Sequence, residues 1–102
     1  MEKLKVIFRK IDGEILAFFP EQTANYGKIV AYEYLGKVPC GGGLYGGHFE
    51  AAMDYYYSTE KANPEEYAEA LEMLRKYVYD DVQLVVRQRI NYRDLNNHAW
   101  RR

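Results

Sequence analysis

The chain has 102 residues, 48% of them hydrophobic and 28% charged, with one cysteine and a formal net charge of −1. That is the make-up of one globular domain, and it excludes a multidomain enzyme, a disulfide scaffold and wholesale disorder. No apolar run approaches the roughly 20 residues of a membrane helix, the first residues alternate charge with apolarity instead of forming a signal-peptide block, and a lone cysteine forms no internal bridge, so a cytoplasmic protein without membrane attachment is expected.

Residues 3–9 read as a strand, with Leu4, Val6 and Phe8 on one face and Lys5, Ile7 and Arg9 on the other. Asp12-Gly13 is a hairpin signal, followed by an apolar strand over 15–19 that Pro20 stops by removing a ladder donor. Residues 20–27 read as a loop. A third strand spans 28–35, placing Val30, Tyr32 and Tyr34 opposite Ile29, Ala31 and Glu33. Six glycines and Pro39 between Gly36 and Gly47 argue against any regular element there. Residues 49–58 are expected to form a short Ala- and Tyr-rich helix.

The second helix carries the clearest boundary. Asn63 is an N-cap, Pro64 occupies the first helical position, and Glu65 and Glu66 oppose the dipole, so these carboxylates need no catalytic role. Tyr67, Leu71, Leu74 and Val78 make its apolar stripe. Val82, Leu84 and Val86 mark a last strand, and residues 93–102 a basic tail beyond a single domain at 1–92. The order β-β-β-α-α-β predicts an α+β, two-layer fold. Its four-stranded, mainly antiparallel sheet has order 3-2-1-4, with both helices on one face and the other face open.

Three groups of residues carry possible chemistry. Gly41, Gly43 and Gly46 spell G-x-G-x-x-G between a strand and a helix, a spacing that cradles a pyrophosphate in dinucleotide-binding folds. The chain is too short for such a fold, so a flexible connection is favoured. Cys40 and His48, with Asp54 beyond them, supply the residue types of a thiolate nucleophile, base and orienting acid, but fall short of a zinc set. No metal or other cofactor is expected.

Charge supplies the third group. Residues 1–48 carry +1, residues 49–81 carry −6 and residues 82–102 carry +4. Lys3, Lys5 and Arg9 share one face of the first strand, and Arg87 and Arg89 one face of the last, so an open basic sheet face could bind single-stranded nucleic acid or a nucleotide. The chain also has eleven tyrosines. One helix cannot bury Tyr55, Tyr56 and Tyr57 together, so at least one ring faces outward. With Tyr45 and His48, these rings suggest a contact surface for a protein partner or a second copy.

Taken together, Ala17-Phe18-Phe19-Pro20-Glu21, Gly46-Gly47-His48, Tyr55-Tyr56, Pro64-Glu65-Glu66-Tyr67 and the final Val/Arg strand resemble a family of small hypothetical proteins of bacteria, their mobile elements and phages. The likeness spans about residues 4–90, with a longer glycine-rich insertion at 40–45 and an extra tail. It implies a non-enzymatic accessory protein and brings no catalytic residues. The leading expectation is therefore a non-enzymatic interaction module, followed by nucleic-acid binding and then by a small Cys/His enzyme.

Overall fold

The computed structural model describes residues 2–91 and 93. Apart from Arg93, the tail expected at 93–102 lies outside them. The elements are β1 (Glu2–Ile11), β2 (Glu14–Thr23), β3 (Ile29–Lys37), β4 (Leu44–Ala51), α1 (Met53–Ser58), β5 (Glu60–Lys61), α2 (Pro64–Tyr77) and β6 (Val82–Arg87). The fold is α+β with a mainly antiparallel sheet, as the patterning predicts. Its order is β4-β3-β2-β1, and the outer edge of β1 is shared by β6, parallel along Glu2 to Ile7, and β5, antiparallel at Arg9 and Lys10. The last strand thus lies beside the first. The sheet is wider than expected, however. Among the described residues no helix is long and apolar enough to cross a membrane.

The β1–β2 hairpin follows its turn chemistry. Asp12 and Gly13, at φ 50° and 82°, sit between the paired residues Ile11 and Glu14, the mirror-image turn that matches strand twist. Pro20 does not end β2. The strand continues to Thr23 through a bulge after Phe19, and across it the backbone N–H of Lys5 donates to the Glu21 carboxylate at 2.9 Å, so a side chain serves as acceptor near the irregularity. α2 begins as read: the Asn63 side chain accepts from the Glu66 N–H, and the Glu66 carboxylate accepts from the Asn63 N–H.

Further expectations fail. The glycine-rich segment is not without structure, because β4 begins inside it and pairs with β3 along its whole length. The helix expected at 49–58 is correspondingly shortened to Met53–Ser58. The helices also lie on opposite faces. On one side Leu4, Val6, Phe8, Ala17, Phe19, Tyr32 and Tyr34 pack with Ala70, Met73 and Leu74 of α2, and Tyr67 stacks on Phe8 at 4.5 Å. On the other side Ile7, Leu16, Phe18, Ile29 and Ala31 pack with Tyr56 of α1. The central strands are apolar on both faces, so each face has to be covered. Neither face is left wholly bare, as one would be under a one-sided cover.

Candidate functional site

The α1 side of the sheet is covered incompletely. Six residues of helix shield Phe18, which is fully buried. Beside them lies a cavity of about 340 Å³ lined by Leu16, Glu33, Phe49, Glu50, Ala51 and Tyr55, with walls from β2, β3, β4 and α1. A hollow of about 500 Å³ along α2 is lined from that helix alone, which makes it a gap between surface side chains and not a junction of elements. Pairing of Leu16 with Glu33 and of Ala31 with Phe49 places three walls of the smaller cavity across neighbouring strands. The fourth wall is Tyr55, whose ring lies 6.0 Å from Phe49 and 6.5 Å from Phe18.

The rim combines apolar surface with negative charge. Tyr55 of the lining is 37% exposed, and on the strands that supply Glu33 and Phe49 the neighbouring Leu35 and Tyr45, outside the lining itself, are each 54% exposed. Leu44 packs into the α2-side core and Phe49 into the α1-side core, so strand alternation puts Tyr45 on the cavity's face. Glu14 and Glu33 meet here. The Glu33 carboxyl hydrogen-bonded to Glu14, then partial desolvation, then the charges of Glu33 and Asp12, push the Glu14 pKa up. Burial first, then the charges of Glu33, Glu14 and Asp12, raise the Tyr55 phenol.

A carboxyl whose folded pKa lies above its unfolded value weakens the fold at neutral pH, and that penalty disappears as pH falls through the folded value. Glu14→Gln is therefore expected to melt at a higher temperature than the wild type at neutral pH, with the gap closing on acidification into the carboxylate range. Calorimetric scans across that range test the sign. A variant less stable than wild type at neutral pH would show that the two carboxyls do not oppose each other.

The structure distributes the sequence-derived candidates widely. Tyr56 is buried at 3% exposure, edge-on to Phe18 at 5.1 Å, with the Arg9 guanidinium 4.9 Å over its ring. It is a core residue and not a contact residue. Tyr57 is the most outward of the three rings, 56% exposed. His48 points to the α2 side, where it lies edge-on to Tyr32 at 4.8 Å and its Nε2 is 2.7 Å from the Tyr79 hydroxyl. Burial lowers the His48 pKa, and burial raises Tyr79 to about 12. Asp54 is in the first turn of α1 on the other face, so the His48–Asp54 half of the suggested triad does not assemble. Cys40 is exposed in the loop before β4.

The G-x-G-x-x-G glycines lead into a strand and not a helix N-terminus, so they lack the helix dipole that holds a pyrophosphate. The loop is closed on itself by the Val38 N–H donating to the Gly43 carbonyl at 3.1 Å. The Gly43 N–H donates to the Tyr77 hydroxyl oxygen, which lowers that phenol's pKa.

Of the basic residues, Lys5 and Arg87 lie on one face of adjoining strands, since Lys5 pairs with Val85 and Ile7 with Arg87. Lys3 shares that face. Arg9 is engaged, its Nε donating to the Thr59 hydroxyl at 2.9 Å and a terminal nitrogen to the Thr59 carbonyl at 2.5 Å. Arg89 is exposed just past β6.

Sequence reasoning missed Glu14, Glu33, Phe49 and Glu50 as members of one site. The signal was present in part: Glu33 shares a strand face with Ile29 and Ala31, an acid on an otherwise apolar row. Comparison with known proteins returns no match to a family model, to a curated protein or to a solved structure.

Proposed function

We propose that the chain is a non-enzymatic protein-interaction module that takes up an apolar, cation-bearing segment of a partner at the α1-side cavity. The observation that carries this reading is a hollow built by four elements, in which Phe49 and the exposed Tyr55 lie beside Glu33, whose carboxyl meets Glu14, with the exposed Leu35 and Tyr45 on the strands that supply its walls. Contiguous exposed apolar surface beside a cavity is the usual mark of a contact site. The carboxylates at its rim select an arginine or lysine and disfavour acidic partners. An accessory role of this kind agrees with the resemblance to small proteins of bacteria, mobile elements and phages.

Short peptides alternating Arg or Lys with Leu or Phe are the test, with Glu-bearing peptides of the same pattern as controls. The basic peptides are expected to shift the amide resonances of Phe49, Glu50 and Tyr55, and Glu33→Lys to weaken binding by about tenfold or more. Shifts confined to other residues, or equal binding of the acidic peptides, would overturn the reading.

A second reading, nucleic-acid binding, is supported by Lys3, Lys5 and Arg87 sharing one face at β1 and β6. It predicts salt-dependent capture by immobilised oligothymidine that Arg87→Ala weakens, and flow-through at low salt would remove it.

A further inference from the structure

We propose that β4 is the interface of a two-fold symmetric dimer, in which a second copy of this chain adds its own β4 antiparallel to the first with Gly47 on the axis. Among the described residues β4 pairs only with β3, so its outer ladder groups have no strand beside them. Exposed edges are normally blunted by lysine, proline, a covering element or a very short strand. Leu44–Ala51 is eight residues long, has neither lysine nor proline, carries one carboxylate (Glu50), and exposes Tyr45, Gly46, Gly47, His48 and Glu50. The opposite margin differs: there β1 is flanked by the two-residue β5 and by β6, with Glu60, Lys61 and Arg87 exposed.

Symmetry restricts the register. Residues directly opposed across an antiparallel pair share a face, so a two-fold axis normal to the sheet passes through a residue. With the axis on Gly47, Tyr45 opposes the partner's Phe49, Gly46 the partner's His48, and Leu44 the partner's Glu50. Each ring on the α1 side then meets a ring, and no like charges are opposed. With the axis on His48, two histidines face each other, Tyr45 meets the partner's Ala51 and Phe49 meets only the partner's Gly47. The nearest paired carboxylates in the first register, Glu33 of each copy, are three strand spacings apart, about 14 Å, beyond the screening length of about 8 Å. In this arrangement the partner's Tyr45 joins Phe49 at the rim of the cavity, so each site is completed by the second copy. A register that matches itself in this way is what a two-fold interface requires, and it favours a second copy over an unrelated strand. The inference rests on β4 alone and does not depend on what the cavity binds.

The test uses the intact chain and the position on the axis. No heavy atom lies within 4 Å of a Cβ built at Gly47, so a side chain there has room in the single protomer, and circular dichroism checks that the variants fold. Sedimentation of the wild type is expected to pass from a 12.0 kDa monomer to a dimer over micromolar concentrations, as suits a small interface. Gly47→Glu places two carboxylates face to face beside the Glu33 pair and is expected to raise the dissociation constant about tenfold or more. Gly47→Lys weakens self-association as well. An equimolar mixture of the two is expected to recover dimer as a heterodimer. A wild type that stays monomeric at hundreds of micromolar, assembles beyond a dimer, or keeps its affinity in Gly47→Glu overturns the proposal, as does a mixture that recovers nothing. Peptide binding by a monomeric wild type would overturn the dimer while leaving the cavity reading intact, and a dimer without peptide binding does the reverse.

Discussion

Phe18→Ala is expected to lower the stability of the fold by about 3–5 kcal/mol, the range for deleting a buried phenylalanine ring. Phe18 is fully buried on the second strand of the sheet, edge-on to Tyr56 and tilted against Tyr55. A domain of this size is held by about 5–15 kcal/mol in all, so the change removes about a fifth of the margin or more, and each kcal/mol lowers Tm by about 4–8 °C. The loss is also local in character. α1 has six residues and no side-chain N-cap, too short to be stable without tertiary contacts, so its helical turn persists only while Tyr56 has Phe18 to pack on. Urea unfolding followed by circular dichroism measures the total, and hydrogen exchange at Tyr55 to Thr59 shows whether α1 loosens first. Were the face bare, as a one-sided cover would leave it, the same substitution would cost almost nothing. A loss under about 1 kcal/mol would therefore mean that α1 does not pack on this face.

Local rules made half of this fold legible. The Asp12-Gly13 hairpin, the Asn63 capping box with Pro64, and the period-two strand of Val82, Leu84 and Val86 each follow from a few adjacent residues whose preferences agree with the final structure, and the place of that strand beside β1 follows from the helical crossover before it. What escaped was decided at longer range. The unbroken run from Ile15 to Phe19 and the Ile29-Val30-Ala31 triplet already say that both faces of these strands are buried, yet each strand also contains an alternation that reads as one-sided. β4 was hidden by its own glycines. Gly46 and Gly47 break the visible period of two, although Leu44 and His48 go to one face and Phe49 and Ala51 to the other. Without β4 the cavity has no third wall, so Leu16, Glu33, Phe49 and Tyr55 could not be seen as neighbours. The same strand explains why His48 and Asp54, six positions apart, do not meet. Proximity in sequence ends where a pleat directs one side chain toward α2.

Substituting Gly46 separates a strand that needs a glycine from a loop that merely tolerates one. A Cβ built at Gly46, where φ is 154°, would collide with the Glu33 carbonyl oxygen and lie 2.8 Å from a ring carbon of Tyr32. The backbone oxygen belongs to the neighbouring strand and cannot rotate away, so Gly46→Ala has to push β4 off β3 at the bulge between Tyr34 and Gly36. The expected cost is about 2–4 kcal/mol, from the strained conformation together with ladder hydrogen bonds lengthened or lost. Gly47→Ala, one residue on, meets no heavy atom within 4 Å and is expected to be neutral or to stabilise by about 0.4–1 kcal/mol through the unfolded chain. A flexible connection would accept both changes equally, because nothing in it fixes the distance between chains. Paired unfolding curves of the two variants, with hydrogen exchange along Leu44 to Ala51, decide the matter. Equal stabilities would mean that β4 does not approach β3 this closely. A large loss confined to Gly46→Ala, with protection falling first at Gly46 to His48, is the outcome that this strand pairing requires.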